Sequence, residues 1–459
     1  DPGRAALTSG EADPAVRASY ERFFLDHLVE FERAADHTML VGLSAPMGPQ
    51  LLPTLWLASA LRNRLGPEGP RLVVGGPALS LLTDEDLDRL LVNHPEVDAI
   101  VRYDGEVPLL ALADQCSVGE WDPGRVPGVS CLVDGRVRHV APSPGPKLDQ
   151  LATPHYPPAL LESSGATTLG VYQARGCYWG KCDYCDFVEV YKGSRSYRGR
   201  SPELVLNDIA TLVERTGIRR YRLITEAIPS AFARRFSELV AASGLDISWS
   251  SFAMVDRRFD RDLLQLMADA GCDGLVIGLE SMVTRVLRVV HKSADREQNV
   301  RFIRDAHAAG IRLKVNLIPD LPTTTVDEAL QGLADLEELA ECFQGVSVFG
   351  FEPTHSSNVG RSPERFGFVP IESLRKGTHS QFAANTMQVV DPSMSDEERA
   401  VVMDHYRAFA QRVNGRHASR AAGSERSFRS VVPGAATLTI LDLLTGERQQ
   451  LAGSQRRAG

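Results

Sequence analysis

The stretch Thr167-Thr-Leu-Gly-Val-Tyr-Gln173-Ala-Arg-Gly176-Cys177-Tyr-Trp-Gly180-Lys-Cys182-Asp-Tyr184-Cys185 decides the reading of the chain. It opens as an apolar run of strand character and ends in a glycine-punctuated loop carrying three cysteines. The chain has 7 cysteines, an odd number that makes no disulfide framework, and Cys116, Cys131, Cys272 and Cys342 are scattered. Three thiolates on one flexible loop suit three irons of a [4Fe–4S] cube and leave the fourth iron open to a chelating substrate. The alternative is structural zinc, but a closed zinc site takes four ligands, usually as two separated pairs, and the sequence offers no second pair.

Outward from the cysteines, strand and helix patterns alternate. Strands are expected at 168–173, 221–225, 247–252, 274–278, 313–317 and 346–351, with helices at 202–215, 231–242, 261–270, 294–309 and 326–339. Right-handed crossovers curl such units into an open barrel whose ligands sit at the C-terminal strand ends. The cysteines follow the first of these strands, at the barrel mouth, and that position favours the cluster over zinc.

In these residues the chain resembles the radical S-adenosylmethionine (radical SAM) enzymes, over roughly residues 167–366. The usual triad spacing is three residues then two; here the first interval is one longer, while the end Cys182-Asp-Tyr184-Cys185 is intact. The resemblance implies that Cys177, Cys182 and Cys185 ligate the cluster and that Tyr184 packs beside the adenine of SAM. Thr225 and Glu226 would surround the methionyl ammonium, since a cation in a partly desolvated site needs an anion. Glu280 and Ser281, in a Gly-x-Glu-Ser stretch running on to His291 and Lys292, would face the ribose and methionine ends. The strand with Asn316 and Ile318 would lie along the adenine. The implied chemistry is reductive cleavage of SAM to methionine and a 5′-deoxyadenosyl radical that takes hydrogen from substrate. A reducing donor such as flavodoxin or ferredoxin would supply the electron, and no catalytic side chain is assigned.

Ahead of the barrel a second alternation ends its strands in Leu43-Ser44, Val74-Gly75-Gly76-Pro77 and Val101, the last leading into Asp104-Gly105-Glu106. Glycines at strand ends mark the ligand edge of a parallel, doubly wound Rossmann-like sheet. Residues 36–112 resemble the cobalamin-binding domain found ahead of many radical SAM enzymes, which implies cobalamin as a further cofactor near Ser44, Gly75, Gly76, Gly105 and Glu106. One literal match misleads. Asp305-Ala-His307-Ala-Ala-Gly310 fits a cobalt-ligating string, yet here it closes a barrel helix with Gly310 at the stop. The expected organisation is α/β throughout: a helical leader at 1–35, with a helix at 20–34; the Rossmann-like domain and a connector with a hairpin at 131–140, together 36–150; a partial (β/α)6 barrel at 165–370; and an α+β C-terminal region at 371–459. That last region reads as a helix at 395–413 and two short strands joined at Thr445-Gly446. Pro363-Glu-Arg-Phe-Gly-Phe368 resembles a stretch of radical SAM maturases of ribosomally made peptides. Lys192, Arg195, Arg198 and Arg200 read as a solvated basic loop or a contact for an acidic peptide segment.

A formal charge of −9 and a pI near 5.7 argue against a nucleic-acid partner. The uncharged run 39–61 is broken by Pro46, Pro49 and Pro53 and is not a membrane span. The acidic, alanine-rich start has no basic cluster or apolar core of a secretion signal, so a cytoplasmic enzyme is expected. The leading function is radical modification of a peptide or natural product at an unactivated carbon. Cobalamin-dependent C-methylation competes with cobalamin-independent rearrangement, epimerisation or cross-linking, and with a non-catalytic peptide- or corrin-binding role.

Overall fold

The computed structural model describes residues 39–46, 48–191, 197–371 and 385–421. The expected helix at 20–34, Lys192, Arg195 and the C-terminal strand pair lie outside them. In the front domain, strands β1 (Leu40–Ser44), β2 (Arg71–Gly75) and β3 (Ala99–Val101) run parallel, followed by antiparallel β4 (Val129–Val133) and β5 (Arg136–His139). The period of two sorts their side chains. Leu72, Val74 and Ile100 pack with helices α1 (Gly48–Leu65) and α2 (Asp84–Asn93); Val73, Ala99 and Val101 pack on the other side with Leu112 of α3 (Glu106–Val118). The hairpin turn at Asp134-Gly135 has both residues left-handed, φ 49° and 76°, as a tight two-residue turn demands. This hairpin belongs to the front sheet and is not a mere connector: Val129 and Cys131 complete the core around Val101.

The barrel strands are β6 (Leu169–Tyr172), β9 (Arg220–Ile224), β10 (Ser248–Ala253), β11 (Cys272–Glu280), β12 (Arg312–Leu317) and β13 (Phe343–Val348), all parallel and adjacent in chain order. Between β6 and β9 a two-stranded antiparallel ribbon, β7 (Ala174–Gly176) and β8 (Tyr197–Gly199), brackets the cysteine loop. Outer helices are α4 (Pro202–Thr216), α5 (Ser230–Ser243), α6 (Arg261–Asp269), α7 (Thr284–Val289), α8 (Arg296–Ala308) and α9 (Val326–Glu337). Side chains of Asp260, Asp295 and Thr325 cap the starts of α6, α8 and α9, and left-handed Gly217 and Gly244 end α4 and α5. Tyr221, Leu223, Trp249, Leu275, Ile277, Leu313 and Val315 point outward into the core against these helices. Alternate residues, Tyr172, Arg222, Phe252, Gly278, Lys314 and Asn316, line the inner face.

Five of the six strands and five of these helices stand where the alternation places them, and β13 lies three residues earlier than the expected 346–351. The barrel core runs past residue 370, however. Val402, Tyr406, Phe409 and Val413 of α10 (Asp396–Ala421) are buried within it. Asn414 closes the free edge of the sheet, its Oδ1 accepting from Val346 N and its Nδ2 donating to Val346 O, both at 2.9 Å. Among the described residues no helix is long and apolar enough to cross a membrane.

Candidate active site at the barrel mouth

The cysteine loop leaves β7 at Gly176, φ 77°, and turns at Gly180, φ 59°, conformations that favour glycine. Two aspartates flanking its Cys182–Cys185 end pin it down. Asp183, buried, accepts from Asn358 Nδ2 at 2.9 Å and pairs with His291 Nδ1. Asp186 accepts from Thr354 Oγ1 at 2.8 Å and Ser356 Oγ at 2.6 Å. Trp179 Nε1 donates to the carbonyl of His291 at 2.8 Å. The sequence reading missed both aspartates, although Cys182-Asp-Tyr-Cys-Asp186 displays them.

Cys177, Cys182 and Cys185 interact electrostatically, and burial pushes the Cys182 thiol up and that of Cys185 up to about 12. Buried thiols that resist ionisation are suited to bonding with a cation that stabilises the thiolate. Among the described residues, no three His, Cys, Asp or Glu side chains converge on a single-ion position. Zinc needs its sulfurs about 2.3 Å from one point, whereas a cube takes each sulfur at a different iron. Three thiols on one loop are the donor set of a cube with one iron open, and one short of the four that a closed zinc site takes.

Opposite the cysteines, β11 ends in a bulge between Gly278 and Glu280, and Glu280 adopts φ 64°, strained for a residue with a side chain. Its Oε1 accepts from Lys292 Nζ at 3.1 Å, and Nζ also donates to Tyr184 Oη at 3.1 Å. Burial works against the Lys292 charge, but Glu280, Cys182 and Cys185 outweigh it and hold its pKa above the ordinary value. A Cβ at Gly278 would overlap the Glu280 carboxylate and crowd Lys292 Nζ, so a side chain here would push that pair aside. Lys292 thus organises the site, a role that its neighbours in sequence do not reveal.

The expected SAM residues gather around this centre in part. Glu226 follows β9; its Oε1 accepts from Tyr191 Oη at 3.3 Å, and its buried Oε2 has no partner among the described residues. Burial raises the Glu226 pKa. An orphaned carboxylate oxygen suits an incoming ammonium, so the residues fit SAM as well as the cluster. Thr225 is buried with its hydroxyl on the carbonyl of Ala227 at 3.2 Å, and Ser281 Oγ accepts from Val283 N at 3.1 Å, so both hydroxyls already serve the backbone. Ile318 packs beside Tyr184, and its N–H donates to Glu280 O at 2.8 Å; Asn316 lies on the inner face in register with Gly278. The 363–368 stretch forms a backing for the loop: Phe366 and Phe368 are buried against Tyr184.

At the front domain, Ser44 is exposed, and a Cβ at Gly105 would meet nothing within 4 Å. Gly76 is explained internally, since a Cβ would strike the backbone of Ala45, and at Gly75 it would lie 3.1 Å from Val101 O. Glu106 pairs with Arg175 of β7, at 3.1 Å from Oε2 to Nη1, and Asp104 accepts from both Arg175 and Arg198. Burial pushes the Glu106 carboxyl up, and the Arg175 hydrogen bonds more than reverse this. The basic stretch is accordingly not a solvated loop where it is described: Arg198 pairs with Asp104, and buried Arg200 with buried Asp208. Asp305 and His307 lie in α8, with Gly310 at φ 82° just beyond, so the cobalt-like string is a barrel helix end, as expected.

Residues 171–336 match the family model "Radical SAM superfamily". An uncharacterized methyltransferase of Pyrococcus horikoshii is 27% identical over 263 residues, 56% of this chain and 55% of the relative. The chain thus spans about half the length of that relative. Two solved structures share the fold. TsrM of Kitasatospora setae, a radical S-adenosylmethionine methyltransferase with cobalamin and a [4Fe-4S] cluster bound, superposes with a TM-score of 0.64 at 16% identity, covering 85% of this chain and 82% of its own. OxsB, a cobalamin-dependent S-adenosylmethionine radical enzyme, gives 0.60 at 17% identity, covering 79% and 57%. The family match thus lies on the barrel that carries the cysteine loop.

Proposed function

We propose that the chain is a cobalamin-dependent radical SAM methyltransferase acting on a small natural-product or peptide scaffold at an unactivated carbon. One observation carries this reading: the loop at the ligand edge of the front sheet, Asp104–Glu106, bonds directly to the ribbon that holds the cysteine loop. A group seated at that edge and SAM at the barrel mouth would then open onto one shared space, as transfer of a methyl group between them requires. When bound, the cluster supplies an electron to SAM and the corrin a transferable methyl group. Cys177, Cys182 and Cys185 would hold the cluster, Glu226 the ammonium, and the open backbone at Ser44 and Gly105 the corrin. Lys292 holds Glu280 and Tyr184 in place and balances negative charge beside the thiolates. The names of the relatives support methyl transfer. The inner face of the barrel bears exposed Tyr172 and Phe252 together with half-buried Arg222, which has no partner among the described residues, and exposed Lys314. That lining suits an apolar scaffold with an acidic group.

The internal engagement of Gly76, Asp104 and Glu106 favours a second reading, a front domain without corrin and a radical rearrangement, epimerisation or cross-link in place of methylation. Anaerobically reconstituted protein, mixed with hydroxocobalamin and desalted, separates the two. Methylation predicts a retained corrin absorption band and, with trideuteromethyl-SAM, label passing to the bound corrin. A protein that forms its cluster but retains no corrin removes methylation.

A further inference from the structure

We propose that Asp104 of the front domain is a positioning residue for the cysteine loop, tying its two ends together. The loop departs from β7 and returns through β8, and these strands pair with Arg175 directly opposite Arg198. Like charges opposite one another on an antiparallel pair drive it apart. Asp104, 5% exposed at its side chain, removes that repulsion: its Oδ1 accepts from Arg175 Nη1 at 2.6 Å, and its Oδ1 and Oδ2 accept from Arg198 Nη2 at 2.8 and 2.7 Å. Arg198 is fixed further by Nη1 donating to Pro146 O at 3.0 Å. Gly145 beside it leaves the room, since a Cβ there would overlap the Asp104 carboxylate and Arg198. Glu106 is the outer partner, binding Arg175 alone, with a side chain 37% exposed.

The ribbon has only three residues in each strand, and Asp104 is the carboxylate, among the described residues, that bonds to both of its facing cations. Arg175 stands two residues before Cys177, which places the clamp at the root of the loop. The front domain is then part of the cluster-holding machinery and not only a holder of its own ligand. This inference rests on the cysteine loop being the cluster site.

The test uses the full chain with Asp104→Asn, Glu106→Gln, and the double variant Asp104→Asn/Arg198→Gln, which removes one of the two facing cations. Hydrogen exchange at 174–176 and 197–199 is followed by mass spectrometry, with iron and sulfide content after anaerobic reconstitution. D104N is expected to exchange at least about tenfold faster at the ribbon, with the front strands unchanged, and to load less cluster; E106Q changes little, and the double variant regains protection. Wild-type exchange in D104N overturns the inference. If D104N does not fold, a double variant that is no better than D104N overturns it, and recovered folding supports it. Should the wild type itself take up no iron, the cluster reading fails, while the exchange arm still decides the clamp.

Discussion

Glu226 shows what a single residue contributes and how its chemistry can be checked. A charge-assisted hydrogen bond to a cation is worth about 1.5–3 kcal/mol, so Glu226→Gln should weaken SAM binding about 10- to 150-fold by equilibrium dialysis on cluster-loaded protein. Its pKa is raised by burial, so SAM affinity should fall as pH drops through that raised value, above the range of an exposed glutamate. The apoprotein should respond in the opposite sense: the folded pKa exceeds the unfolded one, so stability rises as pH falls through the folded value toward the unfolded one, and the Gln variant loses this slope. Gly278→Ala should destabilise by about 1–3 kcal/mol, because its Cβ meets the Glu280 carboxylate and forces apart the pair with Lys292; urea unfolding reads this. At this scale the places of the cysteine loop, Glu226 and Glu280 at the C-terminal ends of barrel strands were legible from residue type and strand pattern. The bonds of Lys292 to Tyr184, of Asp183 to His291 and of Asp186 to Ser356 were not, because they join residues 108 to 170 positions apart, which local pattern does not encode.

Among the elements, those with a clear period stood out in the sequence and those without one did not. The barrel strands alternate buried and inner-face residues, and α4, α5 and α9 carry apolar stripes bounded by a cap or a glycine. The six-residue α7 is hidden inside the Glu280–Lys292 stretch, and the three-residue strands of the ribbon carry no period at all. The role of α10 was equally hidden, since Asn414 looks like a polar surface residue until the sheet edge it covers is known. Asn414→Ala removes both hydrogen bonds to Val346 and should cost about 1–3 kcal/mol, lowering the urea midpoint of the barrel while leaving the front domain unaffected. An unchanged midpoint would mean that water replaces the amide without loss.

For the whole molecule, the front domain has its own two apolar clusters, distinct from the barrel core, and the described contacts it makes with the ribbon include the ion pairs of Arg175 and Arg198 and a hydrogen bond from Arg198 to Pro146 O. Such an arrangement should unfold in two steps, the ionic clamp coupling them weakly and less so at high salt. Calorimetry should resolve two transitions in 1 M salt; a single one with equal calorimetric and van't Hoff enthalpies would show the cores to be joined more firmly than the ion pairs imply. The two alternations and their order along the chain were readable in advance, whereas the docking of one on the other was not, because Asp104 and Arg175 acquire meaning only once both sheets are folded. Everything proposed for the reaction rests on the cysteine loop holding a cluster that reduces SAM. The direct measurement is electron paramagnetic resonance of anaerobically reconstituted, dithionite-reduced protein, with 5′-deoxyadenosine quantified after SAM is added. A [4Fe–4S] signal that shifts with SAM, yields 5′-deoxyadenosine, and disappears in Cys177→Ala, Cys182→Ala and Cys185→Ala is the expected result. Protein that takes up zinc and no iron, or that keeps forming 5′-deoxyadenosine when any of the three is alanine, would contradict it.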